Sequence, residues 1–285
     1  MTTARQKRVL AIHDISCVGR CSLTVAQPII SAAGIETSVI PTAVLSTHTG
    51  GFINYTFHDL TDEIMPIVEH WETLNLQFDA IYSGYLGSLR QIDIISQVFA
   101  KLKSNNTTVI VDPVMADNGA LYSHFPTEFP LYMRNLIGQA DVIIPNMTEA
   151  LLLLGEDYVS GPYTEVFIKG VLKRLAALGP QEVVLTGVYF DDKMLGAASY
   201  NDKTSAVDFA MQEYIPGSVH GTGDVFGSVL VASMVHGFSL PKSCSLAACF
   251  TVDSIKRTQA AQTDVKYGVN FEDGLADFAR LIKNT

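Results

Sequence analysis

Six short apolar runs punctuate the first two-thirds of the chain: RVLAIH (8–13), TSVIPT (37–42), FDAIYS (78–83), TTVIVD (107–112), ADVIIP (140–145) and EVVLTG (182–187). They are rich in Val and Ile and apolar without strict alternation, the pattern of strands buried on both faces. Between them, 21–33, 62–73, 88–103, 146–154 and 163–178 repeat apolar residues at helical spacing. Strands alternating with helices predict a parallel sheet covered on both sides.

The pattern changes after residue 187. LGAASYN (195–201) and AVDFAMQEY (206–214) flank the polar turn DKTS, which predicts a small antiparallel meander at the sheet edge. Helical patterning closes the chain over 223–236, 240–257 and 272–283. No low-complexity linker, repeat or charge block interrupts the 285 residues, so a single α/β domain over 1–285 is expected.

Composition supports a large core: 48% of residues are hydrophobic and 17% charged. The net charge of −10, with no basic run, argues against nucleic-acid or anionic-membrane partners. The apolar run after the basic N-terminus is VLAI, interrupted by His13 and Asp14. It is shorter than the ~7–15 residues of a secretory core. No segment approaches the ~20 apolar residues of a membrane span, and a cytoplasmic location is expected. His13, Cys17 and Cys21 form H-x3-C-x3-C, three candidate ligands at a spacing unlike the usual zinc patterns. The thiols read as buried or bystander groups, with Cys244 and Cys249 expected in the core.

In a parallel sheet a ligand sits beyond the carboxyl ends of the strands. Here those ends carry His13 and Asp14, Ser83-Gly84-Tyr85, Asp112-Pro113, Asn146 with Glu149, and Thr186-Gly187. Any one of them would be an ordinary polar loop; five on one edge make a site.

The segment GSVHGTGDVFGS (217–228) gathers four glycines around Asp224 at a helix start. G-x-G-x-x-x-G approaches a dinucleotide fingerprint, but no strand leads into it and no second strand follows. A P-loop sequence is absent. An aspartate there could simply cap the helix. The alternative is that free N–H groups stabilise a phosphoryl group in transit while Asp224 accepts the proton of an attacking hydroxyl. Such chemistry needs a divalent metal, and Asp112 and Glu149 stand where they could hold one. Asn146 and Glu149, three apart, share a helix face. Thr186 could hydrogen-bond a phosphate, although Asn146 and Thr186 taken alone would more often be caps or turn residues.

The ordered set of motifs resembles the ribokinase-like superfamily and, within it, the pyridoxal (vitamin B6) kinases. The resemblance rests on VLAIHDISCVGRCS (9–22), VLSTHTGGF (44–52), SGYLGS (83–88), VDPVMADNGALY (111–122), IIPNMTEALLL (143–153) and HGTGD (220–224), nearly the whole chain in order. It implies a three-layer α/β/α sandwich, Mg-ATP as phosphoryl donor, in many members a monovalent cation such as K⁺, and a homodimer. The acceptor would be the 5′-hydroxymethyl group of a B6 vitamer. Residue by residue it implies Asp224 as base and Gly221, Thr222 and Gly223 as anion hole. Asp112 and Glu149 would serve the metal; Asn146, Glu149 and Thr186 the nucleotide and its phosphates; Asp14, His48, Thr49 and Tyr85 the pyridine pocket.

The similar hydroxymethylpyrimidine kinases of thiamine synthesis typically carry Cys where this chain has Asp224, although His220 matches them. Asp14 departs from the pyridoxal kinases, which usually have a small hydroxyl residue there. Sugar kinases of the superfamily fit less well, as no separate lid insert stands out. A non-catalytic metabolite-binding protein would be expected to lose the base or the metal acids, and this chain keeps both.

Overall fold

The computed structural model describes residues 5–217 and 219–283. In chain order the elements are β1 (Arg8–Ser16), α1 (Leu23–Ala32), β2 (Glu36–Leu45), β3 (Phe57–Asp59), α2 (Thr61–Thr73), β4 (Ala80–Ser83) and α3 (Leu89–Leu102). They continue with β5 (Thr108–Val111), β6 (Ala116–Asp117), β7 (Ala120–Leu121), α4 (Phe129–Ile137), β8 (Val142–Ile143), α5 (Met147–Leu154) and α6 (Glu165–Ala176). The last are β9 (Glu182–Val188), β10 (Met194–Asn201), β11 (Ala206–Glu213), α7 (Thr222–Val235), α8 (Leu240–Ala260) and α9 (Leu275–Lys283).

The main sheet has nine strands in the order β11-β10-β9-β8-β5-β4-β1-β2-β3. β2, β1, β4, β5, β8 and β9 pair in parallel. The expected meander, β10 and β11, is antiparallel at one edge, and β3 runs antiparallel at the other. The continuous apolar runs have a simple cause: successive side chains enter different cores. Leu10, Ile12, Ile81, Val109 and Val111 face a core built with α2 to α6. Val9, Ala80, Tyr82 and Ile110 face a second core built with α1, α7, α8 and α9. The architecture is a three-layer α/β/α sandwich.

Four local expectations are corrected. Helix α4 fell in a stretch with no assigned element; its nine residues, with Pro130 in the first turn, give too short an amphipathic pattern to stand out. Edge strand β3 and the β6–β7 pair are three and two residues long, below the length at which a strand period is visible. β1 does not stop at His13 but runs to Ser16, with its register shifting between His13 and Ile15. Cys249 is exposed on α8, unlike buried Cys244, because the α8 sequence buries only one face. Among the described residues no helix is long and apolar enough to cross a membrane.

Helix α7 is buried along almost its whole length, from Val225 to Ser233. Gly227 permits this: a Cβ there would lie 2.3 Å from the Tyr82 hydroxyl on β4. The approach presses the helix onto the middle of the sheet and sets its N-terminus at the strands' carboxyl edge.

Candidate active site

Read across the sheet, the predicted residues fall in a line. Thr186 lies on β9, Asn146 and Glu149 follow β8, Asp112 follows β5, Tyr85 follows β4, Asp14 is on β1, and His48 and Thr49 follow β2. The structure therefore brings the phosphate-side and acceptor-side candidates to one edge, in two neighbouring groups, with the α7 N-terminus between them.

Gly221 precedes α7 with φ 76°, and a Cβ on it would stand 2.0 Å from the Arg20 carbonyl oxygen, so only glycine fits. The amides of Thr222, Gly223 and Asp224 meet no acceptor among the described residues. A Cβ on Gly223 would enter open space. N–H groups at the positive end of a helix dipole, with no acceptor among the described residues and an open approach, suit an oxyanion.

Among the described residues the Asp224 carboxylate accepts no hydrogen bond from its own helix. It instead accepts from the Cys21 thiol at 3.2 Å, with the Ser22 backbone beside it. Burial pushes its pKa up to about 6; the Ser22 backbone and the Cys21 thiol oppose the rise and nearby Asp14 adds to it. The bystander reading of Cys21 is thus corrected, because its sulfur touches the candidate base. Its own pKa is driven up, by burial first and then by Asp224 and Asp14.

Asn146 and Glu149 form a reciprocal capping box on α5. Asn146 Oδ1 accepts the Glu149 amide at 3.0 Å, and Glu149 Oε2 accepts the Asn146 amide at 2.8 Å. Glu149 also accepts the Met115 amide at 3.1 Å, and Asn146 Nδ2 donates to the Ala116 carbonyl at 2.9 Å. The box thereby ties the loop after β5 to α5. Thr186 pairs with Asn146 through an isolated parallel bridge, and its hydroxyl donates to the Pro145 carbonyl at 3.4 Å.

Asp112 differs from its neighbour. It is 8% exposed, and its carboxylate receives no hydrogen bond from any described residue. Burial, then Glu149, then Asp224 push its pKa well up. Glu149 is raised by burial against the pull of its backbone donors. An unpartnered buried carboxylate facing a second acid fits a hard cation. No group of three or more His, Cys, Asp or Glu able to hold a metal occurs among the described residues. Mg²⁺ needs no such cage, as it commonly takes one or two carboxylates with phosphates and waters.

On the acceptor side, Asp14 lies at the register shift of β1, between His13 and Ile15, and is 5% exposed. Its carboxylate accepts hydroxyl hydrogen bonds from Ser22 at 2.5 Å and Ser16 at 3.2 Å, while burial raises its pKa. Tyr85 donates to or accepts from His124 Nε2 at 2.9 Å and feels the Asp14 charge. His48 has both ring nitrogens engaged: Nδ1 accepts the Gly50 amide at 3.1 Å, which leaves Nε2 to donate to the Lys266 carbonyl at 2.7 Å. It can offer a ligand only its ring face. Thr49 is exposed and its hydroxyl is unpaired among the described residues.

Sequence reasoning missed four residues here: Cys21 and Ser22, which hold carboxylates, and His124 and Tyr122. Burial and then the charges of Glu149, Asp117, Asp112 and Asp224 raise the pKa of the Tyr122 hydroxyl. Its position in the quoted DPVMADNGALY segment was the available signal. A surface hollow of about 480 Å³ lined by Cys17, Gly19, Arg20, Thr24, Tyr267 and Glu272 adjoins the turn that carries Cys21. A smaller one near Glu182 and Asp208 lies at the opposite strand ends and is remote from this chemistry.

A family model described as phosphomethylpyrimidine kinase matches residues 30–270. A Bacteroides thetaiotaomicron structure, provisionally described as a phosphomethylpyrimidine kinase and crystallised in a form with pyridoxal, is 39% identical. It covers 96% of each chain with a TM-score of 0.91. Pyridoxal kinase from Lactobacillus plantarum is 31% identical over 98% of this chain and 99% of that one, with a TM-score of 0.89. Hydroxymethylpyrimidine/phosphomethylpyrimidine kinase of Mycobacterium tuberculosis is 23% identical over 87% of this chain and 88% of its own length. The sandwich is thus the ribokinase-like fold of small-molecule kinases. This chain belongs to the pyridoxal/phosphomethylpyrimidine kinase family within it.

Proposed function

We propose that this protein transfers the γ-phosphoryl group of ATP to the 5′-hydroxymethyl group of a B6 vitamer: pyridoxal, pyridoxine or pyridoxamine. The observation that carries the reading is Asp224, a carboxylate beside three helix amides that meet no acceptor among the described residues, held by the turn that also holds Asp14. Asp224 orients the acceptor hydroxyl and takes its proton as the oxygen attacks phosphorus. The amides of Thr222, Gly223 and Asp224 stabilise the charge that builds on the phosphoryl oxygens. Asp112, and Glu149 through water, would hold Mg²⁺, which neutralises polyphosphate charge; Asn146 and Thr186 border the nucleotide. Asp14 accepts a hydrogen bond from the pyridine ring or its phenolic hydroxyl, with Tyr85, Thr49 and the His48 ring face around it. A monovalent cation, a homodimer and a cytoplasmic setting complete the reading.

Hydroxymethylpyrimidine is the second acceptor to consider, supported by the matching family model and the mycobacterial relative. Purified protein with Mg-ATP and each of the four acceptors decides between them. The B6 reading expects at least one vitamer to have the highest kcat/KM. A higher kcat/KM for hydroxymethylpyrimidine than for all three vitamers would overturn it.

A further inference from the structure

Ser22 sits just ahead of α1 with φ 54° and ψ −129°. These are the angles of the first central residue of a type II′ turn, which glycine dominates because a Cβ is strained there. Capping does not explain the serine, since its side chain makes no cap hydrogen bond to α1. Its hydroxyl instead donates to Asp14 Oδ1 at 2.5 Å. The residue is 4% exposed. The turn around it is wedged in place: the Arg20 carbonyl oxygen abuts both Gly221 and Gly268, where a Cβ would come within 2.0 and 2.7 Å. Cys21, one residue before, donates to Asp224.

We infer that Ser22 is a positioning residue: its hydroxyl grips Asp14 while the turn it shares with Cys21 holds Asp224, fixing the acceptor-binding acid relative to the base. Strained backbone persists where surroundings over-determine it, and it collects at functional sites. Here the serine hydroxyl supplies a contact that an unstrained glycine could not. The inference rests on the roles proposed above for Asp14 and Asp224.

Ser22→Gly isolates the hydroxyl, because glycine keeps the amide and adopts these angles freely. Relief of strain offsets the lost hydrogen bond, so Tm is expected within about 4 °C of wild type. The kcat/KM for pyridoxal should fall roughly tenfold, mainly through KM, with KM for ATP unchanged. Combined with Asp14→Asn, Ser22→Gly should add almost nothing, as expected when one residue acts through the other. Ser22→Ala, which keeps the strain without the hydroxyl, should match the kcat/KM loss and melt below Ser22→Gly. Wild-type kcat/KM in Ser22→Gly, full additivity with Asp14→Asn, or a larger drop in Tm would each overturn the inference. If the wild-type enzyme favours hydroxymethylpyrimidine, the acceptor reading fails by itself. The same comparison on that substrate then still decides the role of Ser22.

Discussion

Asp224 is held at about 6 by burial, where an ordinary aspartate titrates at 3.8. As a base it must be ionised, so kcat/KM should decline as pH falls through about 6. Stability runs the other way. Between about pH 4 and 6 the folded chain binds a proton at this site that the unfolded chain has released, so stability falls as pH rises through the window. Above it, the ionised carboxylate costs the fold on the order of 3 kcal/mol. Asp224→Asn removes that cost, so its Tm relative to wild type should improve from pH 5 to pH 7.5. Paired thermal melts check this, and a difference independent of pH would contradict it. A capping aspartate would instead lose about 0.5–2 kcal/mol on replacement. Asp14 belongs to the same scale. A hydrogen bond to a charged group contributes about 1.5–3 kcal/mol, so Asp14→Asn should lower kcat/KM for the favoured vitamer about 10- to 100-fold. KM for ATP should hold, and the loss should be smaller for hydroxymethylpyrimidine, which lacks the phenolic hydroxyl. Equal small losses across all four acceptors would leave Asp14 a turn residue.

At the scale of elements, α5 carries two duties through one side chain. Glu149 closes the capping box and also faces Asp112. Glu149→Gln keeps one acceptor oxygen, for the Asn146 or the Met115 amide but not both, so the fold should survive with a lowered Tm while the Mg²⁺ concentration for half-maximal rate rises. Glu149→Ala should additionally destabilise by about 0.5–2 kcal/mol. Titrating Mg²⁺ in Glu149→Gln and Asp112→Asn checks the assignment; unchanged curves in both would make these acids structural. The same helix shows what a sequence exposes. Asn146 was legible as a cap and, with Glu149 on the same helix face, as a site residue; the reciprocal capping box itself is seen only in the structure. The six parallel strands were legible because burial on both faces writes an unbroken apolar run. Helix α4 was not, being nine residues long. Cys21 was invisible for another reason: its partner Asp224 is some 200 residues away, and only packing of the turn against Gly221 brings them together. His48 was legible as a site residue, but not the backbone groups that occupy both its nitrogens.

At the scale of the molecule, sheet order turns scattered motifs into a linear site. Thr186, Asn146, Glu149 and Asp112 line one side, Tyr85, Asp14 and the His48–Thr49 turn the other, and α7 points between them. Gly227 and Tyr82 set that aim from within the core, far from any solvent. Everything in the proposed chemistry converges on the first turn of α7. The most direct measurement is therefore steady-state kinetics of Asp224→Asn with pyridoxal and Mg-ATP, alongside nucleotide binding by the same variant. The account predicts kcat lower by roughly 10²–10⁴ with ATP affinity little changed. A variant that keeps more than about a tenth of wild-type kcat would contradict it.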